Sequence, residues 1–342
     1  MNLTIDQIRA ITCGAASVEE TSDGIRFYRF TQEQMELYHD YDESFYNKTK
    51  STAGVRLSFR TNSESLHLKA HLTPQSGSRR YYCFDVFVNG KKVAALRNYN
   101  PEELPDNYTE TPLSVGEIDE AVNLGAGEKT VCIYFPWNMH VALKDLSLDD
   151  GAAIDPVKPI KKLLCFGDSI TQGYDALCPY NRYTAQLADA LQAEEFNKAI
   201  GGEFFWPTLA ETKESFTPDY ITLAYGTNDW SKISYERFLK NCIEFYAALA
   251  STYPKSQIFA ITPIWRRDHQ RVTDFPSFDA VEKTIAEAIK SYKNITMIYG
   301  FDLVNHDEKF FADSYLHPND AGFAKYAENL EKAIKMSKSI EK

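Results

Sequence analysis

The chain has 342 residues, 44% of them hydrophobic and 25% charged, and a formal net charge of −11 at pH 7. That length exceeds one average domain and suits two, and the composition is that of a globular protein rather than a disordered one. The acidic balance argues against a nucleic-acid backbone or an anionic membrane surface as the main partner, and no run nears the roughly 18 apolar residues that a membrane span needs.

The N-terminal residues lack the basic flank and apolar core of a secretory signal, so a soluble, cytoplasmic protein is expected. The six cysteines, Cys13, Cys83, Cys132, Cys165, Cys178 and Cys242, are scattered without a paired C-x-x-C spacing. Several lie in apolar runs, where a free thiol behaves as a small hydrophobe; neither a disulfide framework nor a zinc site is expected.

Up to about residue 150 the chain reads as short strands separated by turns. Residues 55–60 and 66–72 alternate apolar and polar side chains. Residues 82–88 run into Asn89-Gly90 and then 91–96, the signature of a hairpin. Further strand-like runs occupy 129–135 and 141–148. Strands at this spacing, without helices between them, predict a β-sandwich of jelly-roll type. The turn-rich stretch 149–159 carries two prolines and reads as the linker, giving a sandwich domain over 1–155 and a second domain over 156–342.

Beyond the linker the rhythm changes. Apolar runs at 163–166, 220–225, 258–264 and 295–299 alternate with amphipathic stretches. Phe238, Cys242, Phe245 and Leu249 fall on one helical face, as do Phe323, Tyr326, Leu330 and Ile334. Strand–helix alternation predicts an α/β domain with a parallel sheet covered on both faces. Reactive residues in such sheets gather at the carboxyl ends of the strands.

Four segments at strand ends or loops carry residues suited to chemistry. In the first, an apolar strand ends in Gly167-Asp168-Ser169, with Gly173 closing the turn. In the second, Gly201-Gly202 follows a strand-like run, and Gly202 permits close approach to the backbone. In the third, a strand runs into Gly226-Thr227-Asn228-Asp229, where the Asn228 amide can serve as a donor. In the fourth, His317 precedes Pro318, a residue favoured at the first helical position, and can act as a base toward a serine. Each segment alone also reads as an ordinary turn or helix cap.

Taken in order, the four segments resemble the four blocks of the SGNH (GDSL-type) hydrolases, over roughly residues 161–342. The resemblance implies a flavodoxin-like three-layer α/β/α domain and a serine esterase that needs no metal or organic cofactor. It matches Ser169 to the nucleophile, the Ser169 and Gly202 amides with Asn228 to the oxyanion hole, and His317 to the base. Ile170 stands where leucine is usual, a volume-conserving change. The family acid stands three residues before the histidine; that position here is Ser314, so Asp313 is the expected acid. Asp307, beside His306, is a less favoured substitute, and some members use a Ser–His dyad with a backbone carbonyl. The N-terminal half resembles, more loosely, the sandwich preceding the catalytic domain in carbohydrate esterase family two.

Asp168, Tyr174, Trp206, Trp230 and Trp265 flank these blocks and are candidate substrate contacts, aromatic rings being suited to the C–H faces of sugars. The reaction expected is removal of acetyl groups from a small-molecule or oligosaccharide ester. A lysophospholipase, thioesterase or other lipid esterase is the alternative within the same chemistry, and a non-catalytic carbohydrate-binding protein the alternative outside it.

Overall fold

Alternation along the early strands places their apolar side chains in one layer. In the computed structural model, which describes residues 1–75, 79–105 and 108–340, strand Ser65–Pro74 buries Leu66, Leu68, Ala70 and Leu72. It lies between Met139–Leu148 and Glu117–Asn123 in an antiparallel sheet that continues through Gly24–Tyr28 to Ser17–Thr21. A second antiparallel sheet runs Thr12–Cys13, Arg56–Thr61, Lys129–Tyr134, Cys83–Val88, Lys91–Arg97. The hairpin between the last two turns at Asn89 and Gly90, with φ of 49° and 76°, the left-handed pair that a type I′ turn requires. Leu57, Phe59, Phe84 and Ile133 of this sheet meet Phe27, Leu68, Val141 and Leu143 of the other in one core.

The first 50 residues also contain three helices that strand-like reading does not anticipate: Ile5–Ile11, Gln32–Tyr41 and Glu43–Thr49. The second starts at a capping box, Thr31 with Gln34. The Asp42 side chain caps the third by accepting the Phe45 N–H. Ile8 and Ile11 of the first helix join the core between the two sheets, whereas the other two helices pack on the C-terminal half: Tyr38 shares a core with Leu164, Phe166 and Trp230, and Phe45 packs against it. The many acidic residues between these aromatics obscure the helical period in the sequence.

Asp155–Pro156 pairs with Arg56–Thr61, and Lys161–Gly167 then opens a third sheet, which is parallel. Its order is Ala193–Asn197, Lys161–Gly167, Tyr220–Ala224, Gln257–Ile261, Ile295–Ile298. Numbered along the chain this is 2-1-3-4-5, the flavodoxin-like order, whose switch point lies beside the first strand. Helices Tyr183–Ala190 and Asp320–Ile340 cover one face, where Tyr183 and Tyr326 stack with centroids 4.0 Å apart. Helices Pro207–Glu211, Tyr235–Thr252 and Asp279–Ile289 cover the other. Tyr235–Thr252 buries Phe238, Cys242, Phe245 and Leu249, the face read from the sequence.

The two halves share their interior. Ala53, Tyr81 and Trp137 join Ile170 and Tyr174 in one cluster. The buried Arg29 donates from Nη1 to the carbonyls of Asn197 (2.7 Å) and Ala199 (2.9 Å). All six cysteines are free thiols. Among the described residues no helix is long and apolar enough to cross a membrane.

Candidate active site

Strand Lys161–Gly167, second in the parallel sheet, delivers the chain to a single-turn helix, Ser169–Gln172. Asp168 caps that helix by accepting the Ile170 N–H at 2.9 Å, and Gly173, at φ 110°, ends it. This compact turn holds Ser169 Oγ 2.9 Å from His317 Nε2.

The histidine comes from a loop, not a helix start. The final helix begins at Asp320, and Pro318 instead bridges to Phe311, so the expected proline at the first helical position is not observed. Ala312 N–H donates to the His317 carbonyl at 2.8 Å, closing a loop in which Ser314 takes a left-handed φ of 52°. That conformation absorbs the additional residue between acid and base. Asp313 Oδ1 accepts the backbone N–H groups of Tyr315 (2.9 Å), Leu316 (2.7 Å) and His317 (3.0 Å). Its Oδ2 lies 2.7 Å from His317 Nδ1. Burial raises the Asp313 pKa, but the contacts from His317 and the amides prevail and hold it at about 2. The carboxylate is therefore charged at neutral pH.

A second carboxylate, which sequence reading missed, stands at the same nitrogen. Asp175 Oδ2 is 3.5 Å from His317 Nδ1. Arg79, from the N-terminal half, grips it with Nε to Oδ1 at 2.9 Å and Nη2 to Oδ2 at 3.0 Å. The Tyr81 hydroxyl adds a bond at 3.2 Å, and the Tyr108 hydroxyl donates to the Asp175 carbonyl at 2.7 Å. Tyr174 stacks on the His317 ring at 5.6 Å and touches Trp137 with its own ring at 4.8 Å.

Strand Ala193–Asn197 leads into the glycine pair. A side chain at Gly201 would begin 2.5 Å from the Tyr174 hydroxyl, and Gly202 has a φ of 92°, so each position favours glycine for a separate reason. The Gly201 N–H donates to Gln172 Oε1 at 2.8 Å. Asn228, in helix Thr227–Lys232, donates one amide hydrogen to the Glu203 carbonyl at 2.9 Å. Neither Ser169 N–H nor Gly202 N–H has an acceptor among the described residues. These N–H groups and the second Asn228 hydrogen are donors of the kind that can stabilise an oxyanion. Beneath them Glu203 accepts from the hydroxyls of Tyr38 and Tyr225. Burial pushes its pKa up to about 8, against the pull of those bonds.

The remaining expected residues divide. Asp168 is 2% exposed and Trp230 1%, so both present almost no surface to a ligand, contrary to expectation. Trp230 packs edge-on to Phe278 with the Arg266 guanidinium over its ring. Trp206 stacks on Tyr41 at 4.9 Å in an aromatic group with Phe45 and Phe204. Trp265 lies against His306 and Phe311. Asp307 caps Lys309, and His306 Nε2 bonds the Phe301 carbonyl.

Residues 165–325 match the GDSL-like Lipase/Acylhydrolase family. No curated protein matches the chain. Among solved structures the fold is similar to that of salicylyl-acyltransferase SsfX3 from a tetracycline biosynthetic pathway, at 20% identity and a TM-score of 0.79, covering 95% of this chain and 94% of that one. It is also similar to a putative GDSL-like lipase from Bacteroides ovatus, at 18% identity and a TM-score of 0.77, covering 98% and 97%. A family two carbohydrate esterase from Clostridium thermocellum, in complex with cellohexaose, matches at 14% identity and a TM-score of 0.66, covering 96% and 99%. Coverage of both chains is nearly complete, so the likeness of fold extends through the antiparallel sheets as well as the parallel one. Over residues 165–325 the chain is thus similar to the GDSL-like lipase/acylhydrolase family, a likeness that indicates a carboxylic ester hydrolase.

Proposed function

We propose that this enzyme removes short acyl groups, acetyl above all, from saccharide esters through an acyl-enzyme on Ser169. The observation that carries the mechanism is the continuous line Ser169–His317–Asp313, at 2.9 and 2.7 Å, beside two amides that have no acceptor among the described residues. His317 Nε2 takes the Ser169 proton as Oγ attacks the ester carbonyl carbon. Asp313 keeps the Nδ1 proton on the imidazole and offsets the imidazolium charge. The N–H groups of Ser169 and Gly202, with Asn228, hold the oxyanion. Collapse breaks the bond to the alcohol, which leaves with the proton from His317. Water, deprotonated by the same imidazole, then releases the acid and restores the serine.

The aromatic group formed by Tyr41, Phe45, Phe204 and Trp206 supports a saccharide alcohol. Phe45 Cε1 lies 3.7 Å from where a side chain on Gly202 would start, so this group borders the site. Such rings can cover the C–H faces of a sugar. The fold shared with the cellohexaose-bound esterase agrees with that reading.

Rates on acyl chains from acetyl to octanoyl, and acetate release from acetylated oligosaccharides, test the proposal. Acetyl esters should be cleaved much faster than octanoyl ones. Rates that climb with acyl length would favour a lipid esterase. Efficient acyl delivery to an added alcohol in place of water would instead make the enzyme a transferase.

A further inference from the structure

The oxyanion loop is gripped from outside its own half of the chain. Lys48 Nζ, from helix Glu43–Thr49, donates to the Gly201 carbonyl at 2.7 Å. The Gly201 carbonyl and the Gly202 N–H are the two ends of one peptide group. A cation bonded to the oxygen draws electron density from nitrogen to oxygen, leaving the N–H a stronger donor. Gly202 N–H has no acceptor among the described residues and so is free to meet an oxyanion.

Lys48 is built for that contact. It has no carboxylate within ion-pair distance among the described residues. Its backbone carbonyl accepts from Arg29 Nη2 at 3.1 Å and from Ser51 Oγ at 3.0 Å. Arg29 also bonds the Asn197 and Ala199 carbonyls, so one guanidinium fixes the Lys48 helix against the segment that leads to Gly201. Burial, and then the neighbouring Lys232, lower the Lys48 pKa. Lys232 Nζ approaches the Gly202 carbonyl at 3.5 Å. A buried carboxyl next to the loop, Glu203, has the raised pKa described above and is largely protonated at neutral pH, so it adds little opposing charge.

We propose that Lys48 is a positioning residue for ester hydrolysis: its ammonium orients and polarises the Gly201–Gly202 peptide so that Gly202 N–H binds the oxyanion more strongly than the ground-state carbonyl. The ammonium keeps its proton throughout. The inference rests on the reading of Gly202 as an oxyanion donor, and it gives helix Glu43–Thr49 a part in catalysis.

The test uses the full chain with K48M, K48Q and K48R, measuring kcat and KM separately on p-nitrophenyl acetate. A trifluoromethyl ketone, which forms a hemiketal oxyanion on the serine, serves as a second probe. K48M and K48Q should lose about 10- to 100-fold in kcat, less than the loss of a whole oxyanion donor, with KM changed little. Their inhibition constants for the ketone should rise by the factor by which kcat/KM falls, and K48R should recover most of both. K48Q keeps a neutral donor in place of the charge and decides the matter if K48M fails to fold. Wild-type kcat in a folded K48M or K48Q overturns the inference. So does a fall in kcat without weaker ketone binding, or equal impairment of K48R. S169A is the control: if it turns over near the wild-type rate, the site reading beneath the inference fails, whereas an inactive S169A beside a fully active K48Q removes the Lys48 role alone.

Discussion

Asp175 Oδ2 lies 3.5 Å from His317 Nδ1, the nitrogen that Asp313 Oδ2 meets at 2.7 Å. Two carboxylates therefore flank one imidazole, and their surroundings separate their parts. Asp313 is held by amides of its own loop and has no ion-pair partner other than His317 among the described residues. Asp175 is clasped by Arg79, which offsets much of its charge before the imidazole feels it.

Asp313→Asn and Asp175→Asn should thus fail in different ways. The first removes the charge bonded to His317, and turnover should fall at least about 100-fold, toward the range seen for triad acids. The second leaves the Arg79 guanidinium beside a neutral amide. Breaking a buried pair by removing one partner costs about 3–5 kcal/mol, and Arg79 is partly exposed, so the loss should lie at or below the lower end. Kinetics and thermal melts on both variants check the crossover: Asp313→Asn the slower enzyme, Asp175→Asn the lower Tm. Asp307→Asn should match the wild type in kcat, because its carboxylate meets the backbone N–H and the ammonium of Lys309 and not His317.

Gly201→Ala tests the packing beneath the oxyanion loop. The added methyl would sit 2.5 Å from the Tyr174 hydroxyl and 2.6 Å from its ring carbon, and Tyr174 stacks on His317. Either the loop or the tyrosine has to shift, and kcat/KM should drop at least about 10-fold, since small misplacements at a reacting centre are costly. Unchanged kinetics in the purified variant would mean that neither shift reaches the reacting atoms.

Glu203 predicts a pH dependence of stability. Its folded pKa, raised by burial to about 8, exceeds the roughly 4.3 of an unfolded glutamate. Between those values the native state binds the extra proton, so stability is greatest below the unfolded value and falls as pH rises through about 8. Asp229, raised by burial to about 7, acts in the same direction. The wild-type Tm should therefore decline between pH 5 and 8 more steeply than that of Glu203→Gln. Parallel profiles for the two proteins would contradict this.

The α/β half and the residues it gathers at the candidate site were largely legible in the sequence because both follow local rules. Apolar runs and helical faces alternate, and Ser169, Gly202 and Asn228 directly follow strand ends. Asp313 was legible despite the extra residue, since a left-handed Ser314 returns its carboxylate to the histidine. Pro318 misled, because its pairing with Phe311 prevailed over the preference of proline for helix starts. Trp230 misled as well: adjacency to a motif says nothing about which way a ring points. Arg79, Arg29 and Lys48 were invisible, for each reaches the site across about 100 residues or more of chain and belongs to no local pattern. Asp175 sat in plain view after Tyr174, yet only the guanidinium from the other half reveals its place.

The most direct test of the proposed mechanism is to quench a brief reaction with p-nitrophenyl acetate in acid and map the adduct by mass spectrometry. The account predicts one acetyl group per chain, on the peptide containing Ser169, with no adduct in Ser169→Ala and a turnover in that folded variant lower by several orders of magnitude. An acetyl group on another residue, or near-wild-type turnover by Ser169→Ala, would contradict it.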